Sequence, residues 1–146
     1  MFKGFTLTNE FIQFEDNIDT WQEAIVKSSQ PLLEKGYVEQ SYVDAMIESV
    51  NEYGPYIVIT PNVALPHARP EAGSKVMGFS VLKLKDAVAF SEEEEHQVKL
   101  LIALSCVDAT THMEMLQGIV TVLSDQEKYD QLFNATTSEE ILNIFV

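Results

Sequence analysis

The chain has 146 residues, the usual size of one compact domain and enough to bury a substantial core. Hydrophobic residues make up 46 % and aromatics 10 %, which argues against disorder, and a single cysteine excludes an intrachain disulfide. Twenty-three acids against nine bases give a net charge of −14, which disfavours nucleic acid, whose binding relies on neutralising phosphates. The same charge suits a basic protein partner drawn in by long-range attraction, or simply keeps an abundant protein dispersed.

The opening segment MFKGFTLTNE lacks a sustained apolar stretch and a small-residue cleavage site, so no secretory signal is expected. No apolar run approaches the roughly 18 residues that span a bilayer. The expectation is therefore a cytoplasmic chain, without membrane insertion, forming a single domain over 1–146.

In chain order, Phe11 to Phe14 reads as a short strand. Thr20 and Glu23 have the spacing of a capping box, and Trp21, Ala24, Ile25, Leu32 and Leu33 continue as a helical apolar stripe. Pro31 predicts a kink or an early end, and Gly36 closes the segment. A second helix is predicted from Gln40 to about Tyr53, burying Tyr42, Val43, Met46, Ile47 and Val50, with Gly54 and Pro55 as its stop. Tyr56 to Thr60 reads as a buried strand, Pro61 and Asn62 as a turn, and Val63 to Leu65 as a brief extended piece. The loop Pro66-His67-Ala68-Arg69-Pro70 follows.

Val76 to Leu84 alternates as a strand should, and Ala87 to Phe90 is its candidate partner across a turn. Glu92 to Glu95 is a run of like charges and reads as a solvated loop. Val98 to Cys106 is a central strand, with Cys106 a core thiol rather than a nucleophile. Asp108, Thr110 or Thr111 caps a helix running to about Leu123, which is expected to bury Met115, Leu116, Ile119, Val120 and Leu123. Helices around Glu127 to Phe133 and Ser138 to Phe145, the last capped by Ser138, end the chain. Interleaved strands and helices predict an α/β domain with a mixed β-sheet flanked by helices.

Chemistry is sought first at the three histidines, 67, 96 and 112. None is paired at the close spacing of a helical metal motif, and neither HExxH nor a second cysteine occurs, so no metal site is expected. A nucleophile elbow and a glycine-rich phosphate loop are absent, and nothing selects a carboxylate pair. His67 is distinguished by its setting. Prolines 66 and 70 restrict the backbone on both sides, a strand end precedes the loop, and Arg69 offers planar, permanently charged donors suited to phosphate oxygens. A histidine nucleophile for phosphoryl transfer needs such an arrangement: a neutral, exposed ring nitrogen, a tautomer held by a hydrogen bond, and cationic or N–H donors around the phosphoryl group. A loop histidine with an incidental arginine neighbour fits the same local residues. His112 lies in the first turn of a predicted helix, where free N–H groups and the helix dipole favour an anion. His96, after the glutamate run, reads as merely exposed.

The segments TPNVALPHARPEAG (60–73) and DATTHMEMLQGIVTVLSD (108–125) resemble the mannitol/fructose-type enzyme IIA of the bacterial sugar phosphotransferase system. The likeness extends through GYVEQSYVDAMIE (36–48) and TTSEEIL (136–142) in the family's order, and GPYIVITPNVALPHARPE (54–71) is similar to the ascorbate-type branch. The resemblance implies a single-domain three-layer α/β sandwich. It implies that His67 accepts phosphoryl from phospho-HPr, conventionally at Nε2, and passes it to a cysteine of a cognate enzyme IIB serving a membrane enzyme IIC. It further implies that His112 supports His67, that Arg69 binds the phosphoryl group, and that no metal or organic cofactor takes part. Mannitol-type relatives usually carry an arginine where Ser49 stands here. Either Arg69 supplies that charge from the loop, as the ascorbate-like pattern implies, or transfer is impaired. A regulatory enzyme IIA-like protein phosphorylated on the same histidine, and a non-catalytic interaction domain of the same fold, are the alternatives.

Overall fold

The computed structural model describes residues 4–145; Met1 to Lys3 and Val146, part of the domain expected over 1–146, lie outside the described residues. A 3₁₀ turn at Asn9–Phe11 leads into strand β1, Ile12–Glu15. Helix α1, Trp21–Glu34, begins at the expected cap: Thr20 Oγ1 accepts the Glu23 N–H at 3.2 Å. The reciprocal bond of a capping box, from the Thr20 N–H to the Glu23 carboxylate, is not among the bonds of the described residues. It ends on Gly36, whose φ of 76° suits glycine. The Tyr37 N–H donates to the Leu32 carbonyl at 2.8 Å and the Gly36 N–H to Leu33 at 3.1 Å, the paired bonds of a Schellman closure.

Pro31 does not end α1, which runs on to Glu34. A proline inside a helix removes one N–H, which leaves the Lys27 carbonyl four residues back without its usual donor. The sheet supplies a replacement. Gln13 Nε2 on β1 donates to the Lys27 carbonyl at 2.7 Å, and the buried Ser80 Oγ donates to that of Ser28. Gln13 thus replaces the donor that Pro31 removes, and Ser80 ties the same turn to the sheet.

Helix α2, Gln40–Tyr53, buries Tyr42, Val43, Met46 and Val50, while Ile47 is only partly covered. Two short strands follow, β2 at Val58–Thr60 and β3 at Asn62–Ala64, joined through Pro61 with Asn62 at φ 77°. The buried strand expected at Tyr56 to Thr60 is instead this short β2 at the sheet edge, with Ile59 45 % exposed. Its first two residues are spent in a turn in which the Val58 N–H donates to the Pro55 carbonyl.

The expected hairpin of Val76 to Leu84 with Ala87 to Phe90 is one continuous strand, β4, Gly78–Ala89, antiparallel to β5, Gln97–Ser105. Lys83 faces Leu100 and Val88 faces Val98, so the residues between bulge out of the ladder. The Asp86 N–H, freed from the ladder, donates to the Asp16 carbonyl at 2.9 Å. Helices α3 (Ala109–Ser124), α4 (Gln126–Asn134) and α5 (Ser138–Ile144) complete the chain. In α3 the capping box is Asp108 with Thr111, and the buried face is Met115, Ile119 and Val122. Val120, expected in the core, is 45 % exposed, and Leu116 and Leu123 are partly covered. The cap of α5 is Thr137, not Ser138: its side chain accepts the Glu140 N–H.

The five strands lie in the order β1-β4-β5-β3-β2. β1 is parallel to β4, β5 antiparallel to β4, β3 parallel to β5, and β2 antiparallel to β3. Neighbouring residues on β4 point to opposite faces of this mixed sheet. Ser80 bonds to α1, and α2 packs beside α1. On the other face the Phe79 ring lies 5.5 Å from that of Phe145, just past α5, and Lys83 Nζ donates to the Ala135 carbonyl between α4 and α5. Helices therefore cover both faces, which is why β5 is buried without interruption from Leu100 to Ser105. This is the α/β sandwich with a mixed sheet between helices that the sequence predicts.

Candidate functional site

Because β3 and β5 are parallel, their carboxyl ends reach the same edge of the sheet. The chain leaving β3 becomes Leu65-Pro66-His67, and the chain leaving β5 becomes Asp108 and the first turn of α3, which carries His112. Carboxyl ends of strands are where α/β folds place ligand sites. The two histidine rings meet there with centroids 5.2 Å apart, and Tyr56 adds a third ring 6.0 Å from His67 in an edge-on arrangement. His96 precedes β5, at the opposite end of that strand. Its Nδ1 is 2.6 Å from Ser91 Oγ and 3.3 Å from a Glu93 carboxylate oxygen, and it takes no part in the site.

The histidine segment is held by backbone bonds on both sides. The Leu65 N–H donates to the Ile57 carbonyl and the Leu104 N–H to the Pro66 carbonyl, each at 2.9 Å. The Ala68 N–H donates to the Tyr42 hydroxyl at 3.2 Å. Within this frame His67 Nδ1 lies 2.6 Å from the Leu65 carbonyl oxygen. A carbonyl oxygen only accepts, so Nδ1 carries the ring proton and Nε2 keeps its lone pair. Burial holds the His67 pKa below its ordinary 6.5; the bond to Leu65 opposes the shift and the neighbouring His112 adds to it. His67 is therefore a neutral imidazole near pH 7 with a defined tautomer.

His67 and His112 line an open groove of about 1260 Å³, together with Arg69, Ser49, Tyr53, Tyr56, Glu71, Val107 and Asp108. Arg69 is exposed and, among the described residues, forms no ion pair. Ser49, on α2, opens into the same groove, so an arginine at that position would share the space with Arg69. Cys106 does not join them: it is 1 % exposed, and burial pushes its thiol up to about 11. Asp108 is occupied as the cap of α3, and the N–H and hydroxyl of Thr111 hold its carboxyl below the usual range. Sequence reasoning missed Tyr42, Tyr53, Tyr56 and Asp108 as groove and loop-anchoring residues. Tyr42 carried the readable signal, because a tyrosine on a buried helical stripe must find a partner for its hydroxyl.

Residues 5–146 match the family described as the phosphoenolpyruvate-dependent sugar phosphotransferase system, EIIA 2. The chain belongs to this family. It is accordingly a phosphotransferase component of the enzyme IIA type. The ascorbate-specific PTS system EIIA component of Escherichia coli K12 is 37 % identical over 137 residues, 93 % of this chain and 89 % of that protein. The solution structure of the mannitol-specific cryptic phosphotransferase enzyme IIA CmtB from Escherichia coli is 35 % identical. It superposes with a TM-score of 0.85, covering 96 % of this chain and 94 % of that one. A complex of mannitol enzyme IIA with phosphorylated enzyme IIB from Escherichia coli aligns at 25 % identity and a TM-score of 0.79, covering 96 % of each chain. Among the described residues of this enzyme IIA, no helix is long and apolar enough to cross a membrane.

Proposed function

We propose that His67 is the phosphoryl acceptor of this enzyme IIA, taking the group on Nε2 from phospho-HPr and passing it to a cysteine of a cognate enzyme IIB. The observation that carries this reading is the Nδ1–H bond to the Leu65 carbonyl at 2.6 Å, in a ring that burial keeps unprotonated. The Nε2 lone pair attacks phosphorus, the donor's P–N bond breaks, and its electron pair returns to the donor ring. In the second step the enzyme IIB thiolate attacks and the pair returns to His67 Nε2. Each transfer needs charge compensation for a group carrying about two negative charges. Arg69 supplies a guanidinium from the loop, and His112 sits against the acceptor ring.

The partners are proposed to dock on the exposed Tyr53, Tyr56 and Val107 around the groove, with the acidic surface attracting a basic donor such as HPr. By likeness to the ascorbate-specific relative, the phosphoryl group feeds cytoplasmic phosphorylation of an ascorbate-like substrate entering through a membrane enzyme IIC. Incubation with phosphoenolpyruvate, enzyme I and HPr should add one acid-labile phosphoryl group by mass, and none to His67→Ala. Labelling that persists in that variant refutes the assignment. Capture of an enzyme IIB by the phosphorylated protein distinguishes transport from a regulatory role.

A further inference from the structure

The Leu104 peptide groups hold the clue. β3 pairs with β5 only as far as Ala64 opposite Leu101, so beyond that point this edge of β5 has no strand neighbour among the described residues. Leu104 nonetheless has both polar groups engaged with the histidine segment. Its N–H donates directly to the Pro66 carbonyl at 2.9 Å, and its carbonyl accepts the Tyr42 hydroxyl at 2.8 Å. The same hydroxyl lies 3.2 Å from the Ala68 N–H and 3.2 Å from the Ala68 carbonyl. A hydroxyl has one proton to give, and the shorter contact to Leu104 takes it. Its oxygen then accepts the Ala68 N–H.

We infer that Tyr42 is the positioning residue for His67, its hydroxyl fixing the peptide between His67 and Ala68 and with it the direction of the imidazole. The inference rests on reading His67 as the phosphoryl acceptor. Pro66 before the histidine is bound to Leu104 directly, and Ala68 after it is bound to Leu104 through Tyr42. One residue of β5 thus holds both flanks of the nucleophile. Tyr42 is itself fully buried on α2, so its ring is located by the core rather than by the loop it restrains. Burial also pushes the phenol far above its ordinary value, which keeps it a neutral donor across any working pH. Tyr42 does not touch the groove, and it acts only through the backbone of Ala68.

The test is Tyr42→Phe, which keeps the ring and removes the one oxygen. With phospho-HPr as donor, at a temperature where the variant is fully folded, we expect kcat for transfer to His67 to fall about tenfold or more. KM for phospho-HPr should stay unchanged. Nitrogen-15 spectra of the histidine ring should change from a single Nδ1–H tautomer to a mixture, with faster hydrogen exchange at the Ala68 amide. Ile141→Val, a destabilising change in the distant α5, serves as control and should leave transfer and ring spectra unaltered. A Tyr42→Phe protein that is less stable but keeps wild-type kcat and ring spectra overturns the inference. So does an unprotected Ala68 amide in the unaltered protein, a measurement that needs no variant. The ring spectra and amide exchange report on Tyr42 whether or not His67 is the labelled residue, so the two readings fail separately.

Discussion

The charge relation between His67 and His112 predicts how pH governs the site, and His112→Gln isolates it, since glutamine keeps a polar side chain of similar reach without a titrating charge. The rings are 5.2 Å apart. Two unit charges at that separation repel by about 3 kcal/mol at an effective dielectric of about 20, and by roughly 0.8 kcal/mol in bulk water. The groove is open to solvent, so the pair falls between these limits. Burial, the larger cause of the lowered His67 pKa, survives the substitution, while the repulsion from His112 is lost. The His67 titration followed by its ring proton resonances should move up toward 6.5 in His112→Gln without reaching it. In the unaltered protein His67 should still be mainly neutral at pH 6.5, where an ordinary imidazole is half protonated. Stability carries the same sign. Below pH 6.5 the unfolded chain takes up a proton at this site that the folded chain resists, so stability falls as pH drops from 6.5 through the folded value and is unaffected above it. His112→Gln should flatten that slope in urea titrations between pH 5 and 7. Identical His67 titrations in both proteins would refute the electrostatic coupling.

Arg69→Ala should slow phosphoryl acceptance by about tenfold or more, the scale expected when a charge aimed at a transferring group is removed. Ser49→Arg in that background should recover part of the rate, measured by single-turnover transfer from phospho-HPr. Gln13→Ala leaves the Lys27 carbonyl beside Pro31 without its donor and should cost about 1–3 kcal/mol in urea unfolding, with phosphorylation unchanged. Cys106 should resist alkylation at pH 8 until the protein unfolds, because it is buried and its pKa is raised to about 11; rapid labelling of the folded protein by iodoacetamide would contradict its placement. Gly73→Ala should destabilise the loop after His67, because at φ 136° its new Cβ would lie 2.8 Å from Ser41 Oγ; thermal unfolding is the readout.

What could be read in advance follows from whether the cause is local. Thr20, Gly36 and Asp108 mark helix ends through bonds to backbone within a few residues, and they stand where the sequence predicts. At Pro31 the local rule is incomplete, because the donor that replaces its missing N–H, Gln13 on β1, is remote from it in sequence. The β4 bulge reads as a turn in the sequence because Lys85 and Asp86 interrupt the apolar pattern, while the Asp16 carbonyl that receives the Asp86 N–H is remote in sequence. The sequence places Val120 in the core because the apolar stripe of α3 is wider than its buried face of Met115, Ile119 and Val122. Thr137 and Ser138 are neighbouring hydroxyls, and only the geometry of the Glu140 N–H chooses between them.

His67 was legible as a restrained loop histidine next to a guanidinium, and no more than that follows from its own neighbours. What fits it for the proposed transfer is assembled by the sheet. Parallel pairing of β3 with β5 brings the His112 turn to the same edge, and Leu104 beyond the last paired residue fastens the chain on both sides of the ring. The relay role proposed for His67 requires one nitrogen to be offered to two partners in turn without the ring rotating between them. A flexible loop would lose the tautomer each time the Nδ1–H bond to Leu65 opened. The loop here has little such freedom, because the Leu65 N–H, Pro66 carbonyl and Ala68 N–H are all engaged by buried groups. Rigidity at the backbone and openness at the groove are therefore not in conflict: the core fixes the direction of Nε2, and the solvent face leaves it to the partners.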